Sequence, residues 1–307
     1  MELHGLIIKG VGGAYTVQTD DGAFTCTARG VFRNRATTPL VGDRVIITVT
    51  DVSKKIATLH TIKPRENELR RPPAANIGQV IITVATAQPA FHAGLLDRFL
   101  LLVENENIPI VICANKLDLA QGTGSEKPHV RHAASNIFAP YEQAGYPVIY
   151  TCALTGHGLE TLRAKMAGKL NLFAGPSGVG KSSLINSLSP GLNLETGELS
   201  AKLDRGKHTT RHTEIFPLGE TAEAGFCFDT SGFTSLDINH IQKNELAPLF
   251  REFRPFISEC RFKNCLHHHE SDCAVKEQIG HAIHPARYDG YMKLLHNITP
   301  RPSSRNF

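Results

Sequence analysis

No apolar run in this sequence approaches the roughly 18 residues a helix needs to cross a bilayer, which excludes a membrane-spanning helix. The first residues, MELHGLIIKGVGGAYTV, lack a basic stretch followed by a long apolar one, so no secretory signal is expected. Internal repeats and low-complexity tracts are also missing, which argues against a solenoid or a disordered linker protein. Charge of one sign is scarcely in excess: the formal net charge is +4 over 307 residues. Hydrophobic residues make up 41% and charged residues 20%, as in an ordinary globular protein. The expectation is a soluble, cytoplasmic, monomeric protein that does not engage a membrane.

What charge there is, is unevenly shared. Lys and Arg outnumber Asp and Glu by 11 to 7 over residues 1–71 and by 9 to 6 over residues 250–307, whereas residues 72–249 carry 13 against 16. The flanks are thus +4 and +3 and the centre is −3, the balance expected of two basic modules that grip a polyanion around a nearly neutral engine.

Residues 1–68 read as five short strands, Gly5–Lys9, Ala14–Gln18, Ala23–Arg29, Asp43–Val49 and Ile56–Ile62, separated by turn chemistry at Gly12-Gly13, Asp20-Asp21-Gly22 and Val41-Gly42-Asp43. Five strands in that length suit a closed barrel of the OB type, an oligonucleotide-binding fold, although a small SH3-like barrel would give nearly the same pattern. Lys63–Ala75 reads as a linker.

Residues 69–238 change to alternating strands and helices. Val80–Ala85, Ile108–Ala114, Pro147–Cys152 and Leu170–Ala174 are buried-strand runs, and Leu159–Lys169 is helical, so this is a parallel α/β domain. In residues 239–307, Glu245–Phe256 reads as an amphipathic helix and Pro285–Asn297 as a second.

Gly175-Pro176-Ser177-Gly178-Val179-Gly180-Lys181-Ser182-Ser183 is a phosphate-binding loop, with an apolar strand before it and a helix over Ser183–Ser187 after it. Its glycines turn backbone N–H groups inward, Lys181 neutralises the β- and γ-phosphates, and the Ser182 hydroxyl suits Mg²⁺. Asn115-Lys116-Leu117-Asp118 stands just past a buried strand, where open α/β sheets bind ligands. A carboxylate at Asp118 can accept both guanine N1–H and the 2-amino group, a donor pair that adenine lacks. Thr151-Cys152-Ala153 follows the next strand and resembles the loop that contacts the guanine O6. The base-recognition motif precedes the phosphate loop by roughly sixty residues, so the order points to a circularly permuted guanine-nucleotide domain.

Asp229-Thr230-Ser231-Gly232 fits D-x-x-G, with Asp229 toward Mg²⁺ and the Gly232 N–H toward the γ-phosphate. Gly206-Lys207-His208-Thr209-Thr210 suits a switch loop in which one threonine, Thr210 rather than Thr209, reaches Mg²⁺. Phe233 stands where many GTPases carry a water-positioning Gln, and His208 is the polar side chain nearest in sequence to replace it.

Cysteine is sparse and split in its use. Cys26, Cys113, Cys152 and Cys227 sit singly in apolar segments, as small core residues do. Cys260, Cys265 and Cys273 fall within fourteen residues, and Cys260-x4-Cys265-x-His267-x5-Cys273 makes a closed set of three thiolates and one imidazole, the mark of one structural zinc. The run His267-His268-His269 leaves the ligating histidine open.

The order NKLD, TCA, GPSGVGKSS, GKHTT, DTSG, with the Val-Gly-Asp barrel before and the Cys-Cys-His-Cys element after, resembles the ribosome small-subunit-dependent GTPases A across nearly the whole chain. The resemblance implies an OB domain and a zinc domain that dock on the 16S rRNA of the small ribosomal subunit. It implies slow hydrolysis of GTP to GDP and phosphate that the subunit stimulates, in late maturation, with hydrolysis triggering release. It places the family's proposed catalytic histidine on His208 and its zinc ligands on Cys260, Cys265, His267 and Cys273. Ser231 replaces the family's usual proline. Gly178 stands where some permuted GTPases carry a K⁺-recruiting Asn, so no K⁺ requirement is expected. A nucleotide kinase would need a second nucleotide site and an arginine-rich lid, and neither is found. A vestigial nucleotide site fits poorly with intact Lys181, Ser182, Asp118 and Asp229.

Overall fold

Alternating apolar residues in the first five strands all point one way and close a barrel. The strands are β1 (Glu2–Val11), β2 (Ala14–Thr19), β3 (Gly22–Ala28), β4 (Arg44–Asp51) and β5 (Ile56–Ile62). Ile7, Val17, Phe24, Cys26, Val45, Ile47, Ala57 and Leu59 fill the interior. The order is β1-β2-β3-β5-β4 with β4 returning to β1, and β3 runs parallel to β5, as in an OB barrel rather than an SH3-like one. A bulge between Ile7 and Lys9 bends β1 so that it can serve both neighbours. This computed structural model describes residues 1–28, 38–70, 72–120, 129–189, 192, 213–219, 222–229 and 238–298.

The expected linker Lys63–Ala75 is instead packed structure. Glu68–Arg70 (β6) and Pro73–Ala75 (β7) pair as a hairpin, and Leu69, Ala74 and Ala75 are buried. Arg65 grips Asp43 with Nε to Oδ1 at 2.7 Å and Nη2 to Oδ2 at 2.8 Å. Asp43 is fully buried, and its Oδ2 also accepts the Leu40 N–H at 2.7 Å. A Cβ at Gly42 would lie 2.0 Å from the Ala75 carbonyl oxygen, so Val41-Gly42-Asp43 is a joint as well as a turn. Composition hid this because the charged residues and three prolines of the segment look like linker chemistry, while Asp43, the partner of Arg65, lies outside it.

The α/β sheet consists of β8 (Gln79–Ala85), β9 (Ile110–Asn115), β10 (Val148–Tyr150), β11 (Leu170–Ala174), β12 (Glu214–Pro217) and β13 (Phe226–Asp229). Its order is β10-β9-β8-β11-β13-β12, parallel except for β12. Every residue of β8, β9 and β11 is buried, which is why these segments read as unbroken apolar runs. The helices are α1 (Ala93–Glu104), α2 (His129–Gln143), α3 (Leu159–Met166) and α4 (Lys181–Leu188). Helix α3 stops short of the expected Lys169 because Ala167 leaves the helical region and Gly168 turns with φ +68°. The antiparallel β12 has no counterpart among the strands expected from sequence. It meets β1 at Lys9 and Glu214, whose side chains pair at 2.8 Å, so barrel and sheet are continuous.

Beyond residue 238 the expected helix Glu245–Phe256 is broken into single turns, because Pro248 and Pro255 cannot donate to a continuing helix. The last helix, α5 (Pro285–Asn297), has the expected bounds. Tyr291 and Leu294 from α5 pack with Phe250, Phe253 and with Leu101 of α1. No helix among the described residues is long and apolar enough to cross a membrane.

Candidate functional site

The carboxyl ends of β9, β8 and β11 lie side by side, and the segments that leave them are tied together. At β11 the chain turns through Gly175 with φ +138°, and a Cβ there would lie 2.1 Å from the Thr83 carbonyl oxygen of β8. Gly178 and Gly180 also take positive φ, after which Lys181 to Ser183 form the first turn of α4. The Lys181 ammonium curls into the loop, donating to the carbonyls of Gly175 at 2.9 Å and Pro176 at 2.7 Å. Burial holds its pKa below the ordinary 10.5, so an anion placed there would be bound by a poorly solvated cation.

Asn115 ends β9 and reaches across to this loop. Its Nδ2 donates to the Val179 carbonyl at 2.9 Å, and its Oδ1 accepts the Thr151 hydroxyl at 3.1 Å. Lys116 takes φ +61°, and its ammonium donates to the Gln88 carbonyl at 2.8 Å. Leu117 and Asp118 form a single tight turn, with the Leu117 N–H on the Thr151 carbonyl at 3.2 Å. The Cys152 thiol donates to Asp118 Oδ1 at 3.1 Å, and the Ala153 carbonyl accepts Ser187 Oγ of α4 at 3.2 Å. Asn115–Asp118, Thr151–Ala153 and Gly175–Ser183 therefore share one hydrogen-bonded crevice. Asp229 ends β13, beside the phosphate-loop strand. Its side chain, together with Thr230, Ser231, Gly232, Phe233, His208, Thr209 and Thr210, lies outside the described residues.

Two further residues enter this crevice that sequence reasoning missed. Thr86, just past β8, donates its hydroxyl to the Lys116 carbonyl at 2.8 Å, and Gln88 supplies the carbonyl that holds the Lys116 ammonium. The available signal was positional: β8 lies between β9 and β11, so the loop after it must emerge between the two motifs. A separate cavity of about 910 Å³ lies at the opposite edge of the sheet, between the barrel and the starts of β8, β11 and β13. It carries none of the nucleotide motifs.

The order of these parts along the chain, base-recognition loop before phosphate loop on one parallel sheet, is that of a rearranged GTPase. The sequence profile of the RsgA GTPase family matches residues 62–239, and that of the RsgA N-terminal domain matches residues 4–56. The chain belongs to the RsgA GTPase family. Small ribosomal subunit biogenesis GTPase RsgA of Alkaliphilus metalliredigens is 45% identical, over 96% of this chain and 97% of that protein. The protein of the same name from Geobacillus thermodenitrificans is 42% identical, over 97% and 98% respectively. The crystal structure of YjeQ from Thermotoga maritima superposes with a TM-score of 0.83 at 31% identity, covering 98% of this chain and all of that one. YloQ, described as a circularly permuted GTPase, gives 0.79 at 34% identity with 98% of each chain covered. The RsgA-type architecture of barrel, permuted GTPase domain and Cys/His module thus spans this chain.

The Cys/His module gathers its four candidate ligands closely. Donor atoms of Cys260, Cys265, His267 and Cys273 all lie within 4.8 Å of one another. Cys260 Sγ is 3.9 Å from Cys273 Sγ, and His267 Nδ1 is 3.5 Å from the first and 3.3 Å from the second. Zinc bonds of about 2.3 Å to sulfur and 2.0 Å to nitrogen predict tetrahedral edges of about 3.5–3.8 Å, so the set fits zinc. Burial pushes the Cys265 thiol up to about 12, and a cation is what would make thiolates favourable there. Of the three consecutive histidines only His267 is buried and faces the sulfurs. Its backbone has φ +55°, and its carbonyl accepts the Tyr288 hydroxyl at 2.6 Å. Glu270 braces the same loop by accepting N–H groups of Leu266 at 2.7 Å and His268 at 2.9 Å. Burial works against the Glu270 carboxylate, but those donors outweigh it and hold its pKa at about 2.

Proposed function

We propose that this chain binds the small ribosomal subunit through 16S rRNA, hydrolyses GTP to GDP and phosphate, and leaves the subunit on hydrolysis, as a check on its late maturation. The observation that carries the reading is the Asn115 amide on the Val179 carbonyl, which locks a guanine-recognition loop to a phosphate loop so that one guanine nucleotide can span both. Asn115, Lys116, Leu117, Asp118, Thr151, Cys152 and Ala153 hold the base, and residues Gly175 to Ser183 hold the phosphates. Ser182, Thr210 and Asp229 would hold Mg²⁺, which supplies charge neutralisation at the β- and γ-phosphates. The Gly232 N–H senses the γ-phosphate, and His208 orients the attacking water. Cys260, Cys265, His267 and Cys273 hold one zinc, whose role is to fix the fold of the loop that carries them.

The working units are residues 1–68 and 239–307 as basic RNA-docking modules and residues 69–238 as the switch, acting as a monomer in the cytoplasm. The names of the relatives, which speak of small-subunit biogenesis, support the choice of partner. The deciding experiment is the GTP hydrolysis rate with and without isolated small subunits, repeated for His208→Ala. A rate that subunits leave unchanged overturns the ribosomal reading. Full stimulated activity in His208→Ala removes the catalytic role from that residue alone.

A further inference from the structure

Phe262 is the only exposed phenylalanine or tyrosine among the described residues, with 47% of its surface open. It stands between the cluster ligands Cys260 and Cys265, in the sequence Cys260-Arg261-Phe262-Lys263-Asn264-Cys265, where residues 261–264 are all exposed. Its position is fixed. The Phe262 carbonyl accepts the Cys265 N–H at 3.1 Å, closing a four-residue turn. The preceding Arg261 is bound twice to Asp272, backbone N–H to carbonyl at 3.3 Å and guanidinium to carboxylate at 2.7 Å. That ion pair leaves the Arg261 guanidinium 5.6 Å from the centre of the Phe262 ring.

A single exposed apolar residue usually needs no explanation. This one differs because its ring is held on a stapled turn, with a cation over it and a second, Lys263, next in sequence. Apolar contact with a protein would favour a wider apolar patch, yet the exposed residues beside Phe262 in the chain, Arg261, Lys263 and Asn264, are all polar. A flat π-surface with a guanidinium beside it and a lysine next in sequence matches an unpaired nucleobase and its flanking phosphates. The excess of basic residues over 250–307 points the same way.

We propose that Phe262 is a stacking platform for an unpaired base of RNA, with Arg261 and Lys263 on the adjoining phosphates. The inference rests on the RNA-docking reading above and assigns that contact to a residue. Phe262 carries no core packing, so its variants should fold, and one zinc per chain in each variant checks this. The chain contains no tryptophan, so Phe262→Trp introduces its only indole at the contact, read as the difference from the wild-type complex under the same conditions.

The test measures binding of zinc-loaded full-length protein to isolated small subunits for wild type, Phe262→Ala, Phe262→Leu and Phe262→Trp. Base stacking predicts that the Ala and Leu variants each lose roughly 5- to 100-fold in affinity while the Trp variant binds like wild type. It also predicts that the indole emission of the Phe262→Trp protein is quenched on binding. Wild-type affinity in Phe262→Ala overturns the proposal, as does an unquenched emission in the bound Phe262→Trp protein. Retention by Phe262→Leu with loss in Phe262→Ala assigns the ring to an apolar protein contact and also overturns it. Failure of the wild-type protein to bind subunits would instead overturn the docking reading itself.

Discussion

Asp97 of α1 and Arg287 of α5 form an ion pair that is buried on both sides. Arg287 also donates from Nε to Glu252 at 2.6 Å, and its guanidinium lies 4.6 Å from the Phe250 ring centre. A Cβ on Gly290 would fall 2.4 Å from Asp97 Oδ2, so the two helices are in close contact. Helix α1 begins after the loop whose Gln88 carbonyl holds Lys116. The segment leading into this helix therefore meets the Asn115–Asp118 loop through Gln88, and the helix itself meets the Cys/His module through Asp97, Leu101 and Glu104.

Arg287→Ala should lower stability by about 3–5 kcal/mol, because it leaves two carboxylates buried without their cation. That is a large share of the roughly 5–15 kcal/mol that holds a domain together. Urea unfolding followed by circular dichroism reads the loss. A change under about 1 kcal/mol would mean that water or another cation replaces the arginine.

Chelation should release one zinc per chain and unfold the module from residue 238 onward while the barrel stays folded. The module's apolar cluster around Phe250, Phe253 and Tyr291 includes the ligand Cys273, and Tyr288 and Tyr291 donate directly to the carbonyls of the ligand loop at His267 and Leu266, so loss of the metal would reach that core. Zinc release followed colorimetrically, with proteolysis to map the exposed segment, checks this. Persistence of the module without metal would show that its apolar core suffices.

Much of this was legible because the period of the apolar residues matched their burial. The fully buried β8, β9 and β11 read as strands, and the phosphate and base motifs sat where those strands end. Asp43 and Arg65 were illegible because a buried ion pair 22 residues apart has no local signature. The short antiparallel β12 lacked the length to show alternation, and Pro248 and Pro255 were outvoted by helical spacing around them. Thr86 carries no motif of its own and is recognisable only once β8 is known to lie between β9 and β11.

Gly180→Ala should weaken nucleotide binding at least roughly tenfold. Gly180 sits at φ +91°, and a Cβ there would come within 2.6 Å of Asn115 Nδ2. The left-handed backbone alone costs about 1–2 kcal/mol for a residue with a side chain, and relief of the clash would break the Asn115–Val179 bond. Titration with a fluorescent GDP analogue measures the effect, and unchanged affinity would mean that this bond does not set the spacing of the two loops.

Cys152→Ala should weaken GDP binding by only about two- to threefold, while Cys152→Ser retains wild-type affinity. The thiol is a weak donor to Asp118 Oδ1, so removing it loosens the carboxylate without removing it. Equal affinity in all three proteins would show that guanine alone orients Asp118.

GDP binding should take up a proton in the alkaline range below the ordinary lysine value of 10.5. In the free protein burial lowers the Lys181 pKa, so part of the population is neutral there. Phosphate oxygens beside the amine favour its charged form and raise the pKa again. Binding then draws a proton from solution, and affinity falls as pH rises through this window. Guanine N1 also loses a proton at alkaline pH, so Lys181→Arg is the control: its guanidinium stays charged and leaves only the base's contribution. Calorimetry in two buffers of different ionisation enthalpy gives the proton count. If wild type and Lys181→Arg show the same count, the lysine enters the complex already charged and its burial has no bearing on phosphate binding.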